Sequence, residues 1–326
     1  MPTLDLSFLN DTSRSHFIPT VKQSIYQKTP LFNALDSKGK VQPATGTSLI
    51  WDTIAEKSAN VVWYSGYDVF ANQPNRLTRQ ASLSPANLSV PMAISGEEER
   101  KNSGSMEKLV DMVKTQFDNA KATMRDALAT SVYSAGATIG GRAQVTGLAA
   151  AIDDNNTYAG IDRTAAGNTY WQANINSTAH TFANEKDPTS TSYLPSLMRT
   201  KITDCTLETV PDLIVTTAGI WNLYQDIMEG KIRLTNDTAD GGFQRVQFSP
   251  GLQLIYDKYC TTSAMYFLNT EDWYLYVYSE ANFSLKDGGW VNAQSQDAKI
   301  AFLLWSGQLV CERPIQQGAI TSIALS

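Results

Sequence analysis

Hydrophobic positions recur at intervals of three and four residues over the segment 105–135, the clearest pattern in the chain. The stripe consists of Met106, Val110, Val113, Phe117, Ala120, Met124 and Ala127, widened by Leu109, Leu128 and Val132. This spacing puts apolar side chains on one face of an α-helix. At a rise of about 1.5 Å per residue the helix is roughly 45 Å long. A single stripe of this length predicts a helix that lies against a sheet, and Gly136 ends it.

The N-terminal residues 1–46 have the pattern of an arm. Helix-like spacing is shown by Phe17, Ile18, Val21, Ile25 and Tyr26. Pro30 follows, and proline stops a helix that precedes it. We therefore expect a short amphipathic helix that ends near Lys28. Its apolar face has to be covered by another part of this chain or by another copy.

Two segments between residues 47 and 95 alternate apolar and polar residues, which is the pattern of β-strands. The alternating residues are Val61, Trp63, Tyr67 and Val69 in the first segment and Leu88, Val90, Met92 and Ile94 in the second. Together they predict a long β-hairpin, and Pro85 and Pro91 confine its return strand to a sheet edge. The hairpin also carries Trp51 and Tyr64. That much aromatic surface is rarely left in water, so we expect the hairpin to lie on its own domain or across a neighbour.

Helices dominate the first half of the remaining chain and strands the second. Ser95 and Glu98 have the spacing of a capping box, which predicts a short helix. Residues 188–208 read as a helix, and residues 211–231 as a buried strand, a turn and a helix. Strands are predicted within the segments 243–248, 252–257, 264–269, 273–278, 298–314 and 318–326. This mixture predicts the α+β class.

Composition narrows the function classes. The chain has 326 residues, of which 42% are hydrophobic, enough for one large domain or two intimate ones. Its formal net charge of −6 argues against a nucleic-acid-binding protein, which would need clustered lysine and arginine side chains. Cys205, Cys260 and Cys311 are far apart, so buried reduced thiols are expected. Neither a signal peptide nor a membrane-spanning run is visible, which predicts a soluble protein made in a cytoplasm.

The densest cluster of polar and aromatic residues lies between Gly147 and Asn174. It holds Asp153, Asp154, Asn155, Asn156, Tyr158, Asp162, Arg163, Tyr170 and Trp171. A helix–loop–helix calcium site fails here, because neither register from the two aspartates has Gly at position six and Glu at position twelve. We expect turn caps and a local Asp162–Arg163 ion pair instead. An irregular cation site is the less favoured alternative.

Catalytic motifs are missing from the sequence. The two histidines, His16 and His180, lack a recognisable setting, and neither GxSxG, HExxH nor a phosphate loop occurs. We therefore expect no enzyme activity, no cofactor and no metal. An aromatic-rich glycan-binding protein or hydrolase that uses Asp153 and Asp154 is kept as an alternative, because the separation of two carboxylates is not readable from sequence.

Four segments, in this order, carry a family resemblance. They are "VVWYSGYDVF" (61–70), "VPMAISGEEERKNSG" (90–104), "QVTGLAAAIDDNNTYAGIDRTAAGNTYWQAN" (144–174) and "VPDLIVTTAGIWNLY" (210–224). In combination they resemble the major capsid proteins of tailed double-stranded-DNA bacteriophages, whose fold is shared with herpesvirus capsids and encapsulins. The resemblance covers most of the chain.

The resemblance implies a domain plan. The arm is residues 1–46, the extended loop is 47–95, the peripheral domain with its spine helix (105–135) is 96–204, and the axial domain is 205–326. Strands at the end of the axial domain return to the peripheral sheet, and the place of 150–200 stays open. The residues expected at contacts between subunits are Trp51, Trp63, Tyr64, Tyr67, Glu97, Glu98, Arg100, Asp162, Arg163 and Trp171.

The implied function is structural. Copies of the chain would form hexamers and pentamers of an icosahedral head that encloses DNA without reading its sequence, assembled in the bacterial cytoplasm and without a membrane. Scaffolding, portal, decoration and tail-adaptor proteins are the implied partners; the short segment before the arm predicts a separate scaffolding protein or none. Lys57 is the one lysine in the extended loop, so we expect no covalent cross-link. An encapsulin-like compartment is the alternative shell.

Overall fold

The structure is a computed structural model that describes residues 29–55, 63–69, 78–102, 106–136, 138–139, 141–228, 236–238, 244–249 and 252–325, with Ile18, Val21 and Ile25. Its helices are α1 (Pro30–Ser37), α2 (Gly96–Asn102), α3 (Met106–Val132), α4 (Leu148–Ala151), α5 (Phe182–Lys186), α6 (Leu194–Cys205) and α7 (Ala218–Met228). Its strands are β1 (Val41–Pro43), β2 (Leu49–Ile54), β3 (Thr78–Leu83), β4 (Ala86–Ser95), β5 (Thr138–Ile139), β6 (Arg142–Ala143), β7 (Asn174–Asn176), β8 (Leu213–Thr216), β9 (Asn236–Thr238), β10 (Gln244–Ser249), β11 (Leu252–Tyr256), β12 (Met265–Leu268), β13 (Trp273–Leu285), β14 (Val291–Asn292), β15 (Ala298–Cys311) and β16 (Gly318–Ile320).

A five-stranded sheet and the long helix α3 form one layer pair. The sheet has the order β1-β13-β15-β14, and β4 pairs along β15 from Ala86 to Ser95. The predicted helix is confirmed as α3, which packs against β4. Its stripe is buried at Val113, Phe117, Ala120, Met124 and Leu128. Ala127, which the sequence placed in the stripe, is exposed.

The second sheet has seven strands in the order β7-β16-β12-β8-β11-β10-β9. Ile214, Leu254 and Phe267 lie on the face that α6 and α7 cover. Leu213 and Val215, on the opposite face, belong to the main core shared with α3 and the first sheet. Every residue of β8 is therefore buried, as expected for a strand that is covered on both sides. The predicted strand, turn and helix are confirmed over residues 211–228, and 229–231 lie outside the described residues.

The predicted pairing of a strand at residues 61–69 with the strand at residues 88–94 is wrong. β2 pairs with β3, with Leu49 opposite Leu83. We call this pair of strands the ribbon. Residues 61 and 62 lie outside the described residues, and 63–69 form a turn because Gly66 adopts φ +57°. The predicted return strand is β4, whose partner is β15, at a sheet edge as Pro91 requires.

The arm contains a helix that the sequence did not predict, which begins at Pro30. Ile18, Val21 and Ile25 are helical and Val21 and Ile25 are buried, while most of the predicted first helix lies outside the described residues. Pro30 occupies the first turn of α1, where its missing N–H is tolerated. Proline therefore begins a helix here. No helix in the described ranges combines the length and apolarity needed to cross a bilayer.

Candidate assembly surface

Residues 63–69 present aromatic side chains to solvent. The side chains of Trp63, Tyr67 and Val69 have relative exposures of 97%, 105% and 93%. A local turn holds them outward, because the Ser65 backbone N–H donates to Asp68 Oδ2 at 2.9 Å. Large apolar side chains that protrude this far are typical of a surface that another molecule covers. We call residues 63–69 the aromatic turn.

The ribbon has one outward face, which carries two isoleucines, and one inward face. Ile50 and Ile54 are exposed on β2, while Leu49 and Thr53 are buried. Trp51 lies on the inward side and is partly buried. This alternation follows from the strand period of two residues. The ribbon therefore offers isoleucines on the outside and anchors itself with Trp51 on the inside.

The base of the ribbon is held by the loop between Gly147 and Asn174, the cluster of polar and aromatic residues noted in the sequence. The rings of Trp51 and Trp171 lie 6.5 Å apart. Buried Trp171 donates from Nε1 to the Tyr158 carbonyl at 3.0 Å. The Tyr158 hydroxyl accepts the Cys311 backbone N–H at 2.9 Å, and Ser82 N–H donates to the carbonyl of residue 159 at 3.0 Å. The loop thus joins the ribbon to β15.

Arg163 is the centre of this loop and does not pair with Asp162. Its side chain is fully buried at 0% exposure. Its guanidinium donates to the Trp171 carbonyl at 2.9 Å, the Ala150 carbonyl at 3.0 Å and the Asn156 carbonyl at 3.3 Å, and also to the Ala151 carbonyl. Burial lowers the pKa of Arg163, which the negative charge of Asp153 partly opposes. The rigid loop predicted from sequence is built around this cation.

Asp162 and Asp153 cap turns. Asp162 Oδ1 accepts the backbone N–H and the hydroxyl of Thr164, at 2.9 and 2.7 Å, and these bonds lower its pKa. The predicted Asp162–Arg163 ion pair is therefore wrong, because both groups have local backbone partners. Asp153 accepts from the amides of residues 154 and 155 and from the Asn156 side chain. Burial raises its pKa, and these bonds outweigh that effect, so the net pKa is lowered.

The charges of α2 have partners within the chain. Glu98 N–H donates to Ser95 Oγ at 3.1 Å and Ser95 N–H to Glu98 Oε2 at 3.3 Å, which confirms the capping box. Exposed Glu97 pairs with Lys101 at 2.6 Å. Exposed Arg100 pairs with Asp297 at 2.7 Å. Contact of Glu97, Glu98 and Arg100 with another subunit stays a prediction.

Two polar contacts that sequence reasoning missed fasten the end of α3 to the second sheet. The Tyr133 hydroxyl donates to buried Asp257 Oδ2 at 2.8 Å. Burial raises the pKa of Asp257, and the bonds from Tyr259 N–H and Tyr133 lower it, with a net rise. Tyr259 in turn donates to Asp126. No local pattern could reveal these pairs, because 124 residues separate the first and 133 the second.

A metal-ligating cluster is not found in the part of the chain that the structure describes, where no three His, Cys, Asp or Glu side chains converge on one point. The cysteines are free and buried, as expected. Burial raises the pKa of Cys205 and Cys260 to about 12 and that of Cys311 well above its usual range. These thiols remain protonated at neutral pH and pack as small apolar side chains.

No protein-family model and no curated protein sequence matches this chain. Solved structures do match it over nearly its full length. It is similar to a chain of the cyanophage A-1(L) capsid asymmetric unit, with a TM-score of 0.64, 17% identity, and coverage of 90% of this chain and 93% of that one. It is also similar to the capsid of a native GTA particle (TM-score 0.58, 10% identity, coverage 88% and 89%).

A third similar structure is the holo-SrpI encapsulin complex from Synechococcus elongatus PCC 7942 (TM-score 0.56, 8% identity, coverage 87% and 85%). Identities this low establish a shared fold. The fold predicted from the sequence is therefore confirmed: the chain has the tailed-phage major capsid fold, which encapsulins share.

Proposed function

We propose that this chain is the major shell subunit of a bacteriophage head, assembled from hexamers and pentamers around double-stranded DNA. The observation that carries the proposal is the uncovered aromatic turn, placed beyond a ribbon on a capsid fold. A subunit that acted alone would leave Trp63, Tyr67 and Val69 in water. A neighbouring copy would cover them.

The energetics suit repeated weak contacts. Burying one large apolar side chain contributes about 1.5–3 kcal/mol, part of which is lost to ordering the interface. A contact formed by one aromatic turn is therefore modest. Closed symmetry repeats the contact around every ring and makes the assembly stable. The chain's net charge of −6 also suits a container, because an acidic wall does not hold DNA tightly.

The aromatic residues among the candidate contacts divide into two groups under this proposal. Trp63, Tyr64 and Tyr67 contact a neighbouring subunit directly, over its spine helix. The inward residues Trp51 and Trp171 act within the subunit, by setting the direction in which the ribbon leaves the sheet. The domain plan of arm, extended loop, peripheral domain and axial domain is proposed with the function. Scaffolding, portal, decoration and tail-adaptor proteins are the partners it implies.

The test is assembly of the double variant Trp63→Ala, Tyr67→Ala, followed by velocity sedimentation and negative-stain electron microscopy. The unmodified chain, alone or with a scaffolding protein encoded beside it, is expected to form closed shells. The double variant is expected to stay as free subunits or rings with an unchanged circular dichroism spectrum. The matched control Trp63→Phe, Tyr67→Phe keeps an aromatic ring at both positions and should assemble. Normal shells from the alanine variant would refute the proposal.

The alternative is an encapsulin-like compartment, which the third structural likeness favours. Purified particles separate the two candidates, because a phage head holds nuclease-protected DNA and a compartment holds an enzyme. A glycan-binding or hydrolytic function of Asp153 and Asp154 is weakly supported, since the Asp153 carboxylate already accepts two backbone N–H groups and one side-chain amide. Tight binding of sugar or metal by a monomer would support this glycan-binding or hydrolytic function.

A further inference from the structure

The chain crosses between the two sheets at two neighbouring segments. Residues 269–272 connect β12 to β13, and residues 312–317 connect β15 to β16. The segments are bonded side by side, because Glu312 N–H donates to the Asp272 carbonyl and Asn269 N–H to Gln317 Oε1, both at 2.9 Å. Any rotation of one sheet against the other has to bend this double crossing.

Asp272 is buried in the middle of the double crossing with few partners. Its relative exposure is 8%. Its Oδ2 accepts from Gln317 Nε2 at 3.2 Å, and its Oδ1 lies 3.9 Å from Arg313 Nε. Arg313 is shared between Asp272 and Glu208, since its Nη1 donates to Glu208 Oε2. The Gln317 amide is held in orientation by Trp273 Nε1, which donates to its oxygen at 2.9 Å.

Charged groups of both signs face Asp272. Carboxylates face it from its own segment, from the second crossing and from the loop before β8, while lysines face it from the arm. These groups are Glu271, Glu312, Glu208, Lys38 and Lys40, together with Arg313 and the buried thiol of Cys311. The lysines are engaged elsewhere: Lys38 bonds to Asp212 and Lys40 Nζ donates to the Glu271 carbonyl at 3.0 Å. A surface cleft of about 650 Å³ opens on this side of the crossing.

We propose that the double crossing is a proton-controlled hinge. When Asp272 is neutral, the two sheets are held in the closed arrangement of this structure. When Asp272 is charged, the carboxylate gains by reaching water through the cleft, and the sheets turn more freely about residues 269–272 and 312–317. The hinge belongs to the single subunit and does not depend on the proposed function.

Proton linkage sets the size and direction of the effect. Burial raises the pKa of Asp272 to about 6 from an ordinary 3.8, although Arg313 opposes the rise. In an open arrangement the wet carboxylate returns to its ordinary pKa, so protons bind the closed form more tightly. Opening is therefore favoured above the closed-state pKa and suppressed as the pH falls through it. Between about pH 7.5 and about pH 5 the opening constant falls about tenfold.

Amide hydrogen exchange of the full-length unassembled subunit tests the hinge. Protection of residues 269–272 and 312–317, corrected for the intrinsic pH dependence of exchange, is expected to be about tenfold greater near pH 5 than near pH 7.5. In Asp272→Asn the protection is expected to be high at both pH values. The matched control Glu280→Gln removes an exposed carboxylate from β13, the strand that follows Asp272, and should behave like the unmodified chain.

A second variant covers the case in which Asp272→Asn does not fold. Arg313 favours the charged form of Asp272, so Arg313→Gln is expected to move the midpoint of the protection change to higher pH. An unchanged pH dependence in Asp272→Asn, or an unmoved midpoint in Arg313→Gln, overturns the proposal. Equal protection at both pH values in the unmodified chain also overturns it.

Discussion

Replacing Arg163 by methionine removes the guanidinium from the centre of the loop that holds the ribbon. Most of the apolar part of the side chain is kept. In the unmodified chain this buried cation donates to the carbonyls of residues 150, 151, 156 and 171. Methionine offers no donor, so these acceptors lose their partner. The Tyr158 ring also loses the cation that lies 5.2 Å from its centroid. The loop that fastens the ribbon to β15 is then held by the bonds of Trp171 and Tyr158 and by the Ser82 N–H bond to the carbonyl of residue 159.

The magnitude follows from the lost bonds. A buried acceptor left without a donor costs about 1–3 kcal/mol. The four carbonyls are not independent, because the loop can relax and water can enter the space of the guanidinium. We expect Arg163→Met to lower the free energy of unfolding by about 3–5 kcal/mol. Arg163→Lys keeps the charge but loses the planar fork of donors, so an intermediate loss is expected.

Urea unfolding of the subunit, followed by tryptophan fluorescence, measures this loss as a fall in the transition midpoint. Arg199→Met is the matched control: Arg199 is exposed on α6, and its replacement is expected to change stability by less than about 0.5 kcal/mol. A loss for Arg163→Met no larger than for Arg199→Met would refute the reasoning. It would mean that the loop is held by its aromatic contacts and that the buried cation is dispensable.

Two further predictions concern the ends of α3. Gly147→Ala is expected to cost more than about 2 kcal/mol, because a Cβ there would lie 2.3 Å from the Val132 carbonyl oxygen; Gly219→Ala, whose Cβ meets a movable leucine side chain at 3.1 Å, should cost far less in the same thermal melts. Tyr133→Phe removes a donor that lowers the raised pKa of buried Asp257. Because the buried charge is then less compensated, unfolding should show a larger loss near pH 7 than near pH 4, and an equal loss at both would contradict this account.

The polar part of the candidate site shows where sequence reasoning stops. The adjacency of Asp162 and Arg163 predicted an ion pair, and the structure gives each residue a different backbone partner. Neighbours in sequence often point apart, and a buried cation is satisfied by whichever carbonyls the fold brings to it. The pairs Tyr133–Asp257 and Arg313–Glu208 have no local signal at all.

Short-range sequence patterns were enough to predict several local elements. The three-four spacing of α3, the capping box at Ser95 and the strand–turn–helix of residues 211–231 are short-range patterns, set by the periods of helix and strand and by bonds within one turn. The same patterns predict that its own domain or another molecule covers the segment with Trp63 and Tyr67, since such aromatic surface is rarely left in water.

The pairing of the strands became visible only in the folded structure. Alternation marked residues 88–94 as a strand, but its partner is β15, more than two hundred residues later in the chain, and not the segment before it. A two-residue period tells which side chains share a face and says nothing about the neighbouring strand. The same holds for Asp272: its position on the double crossing exists only because two distant segments meet there.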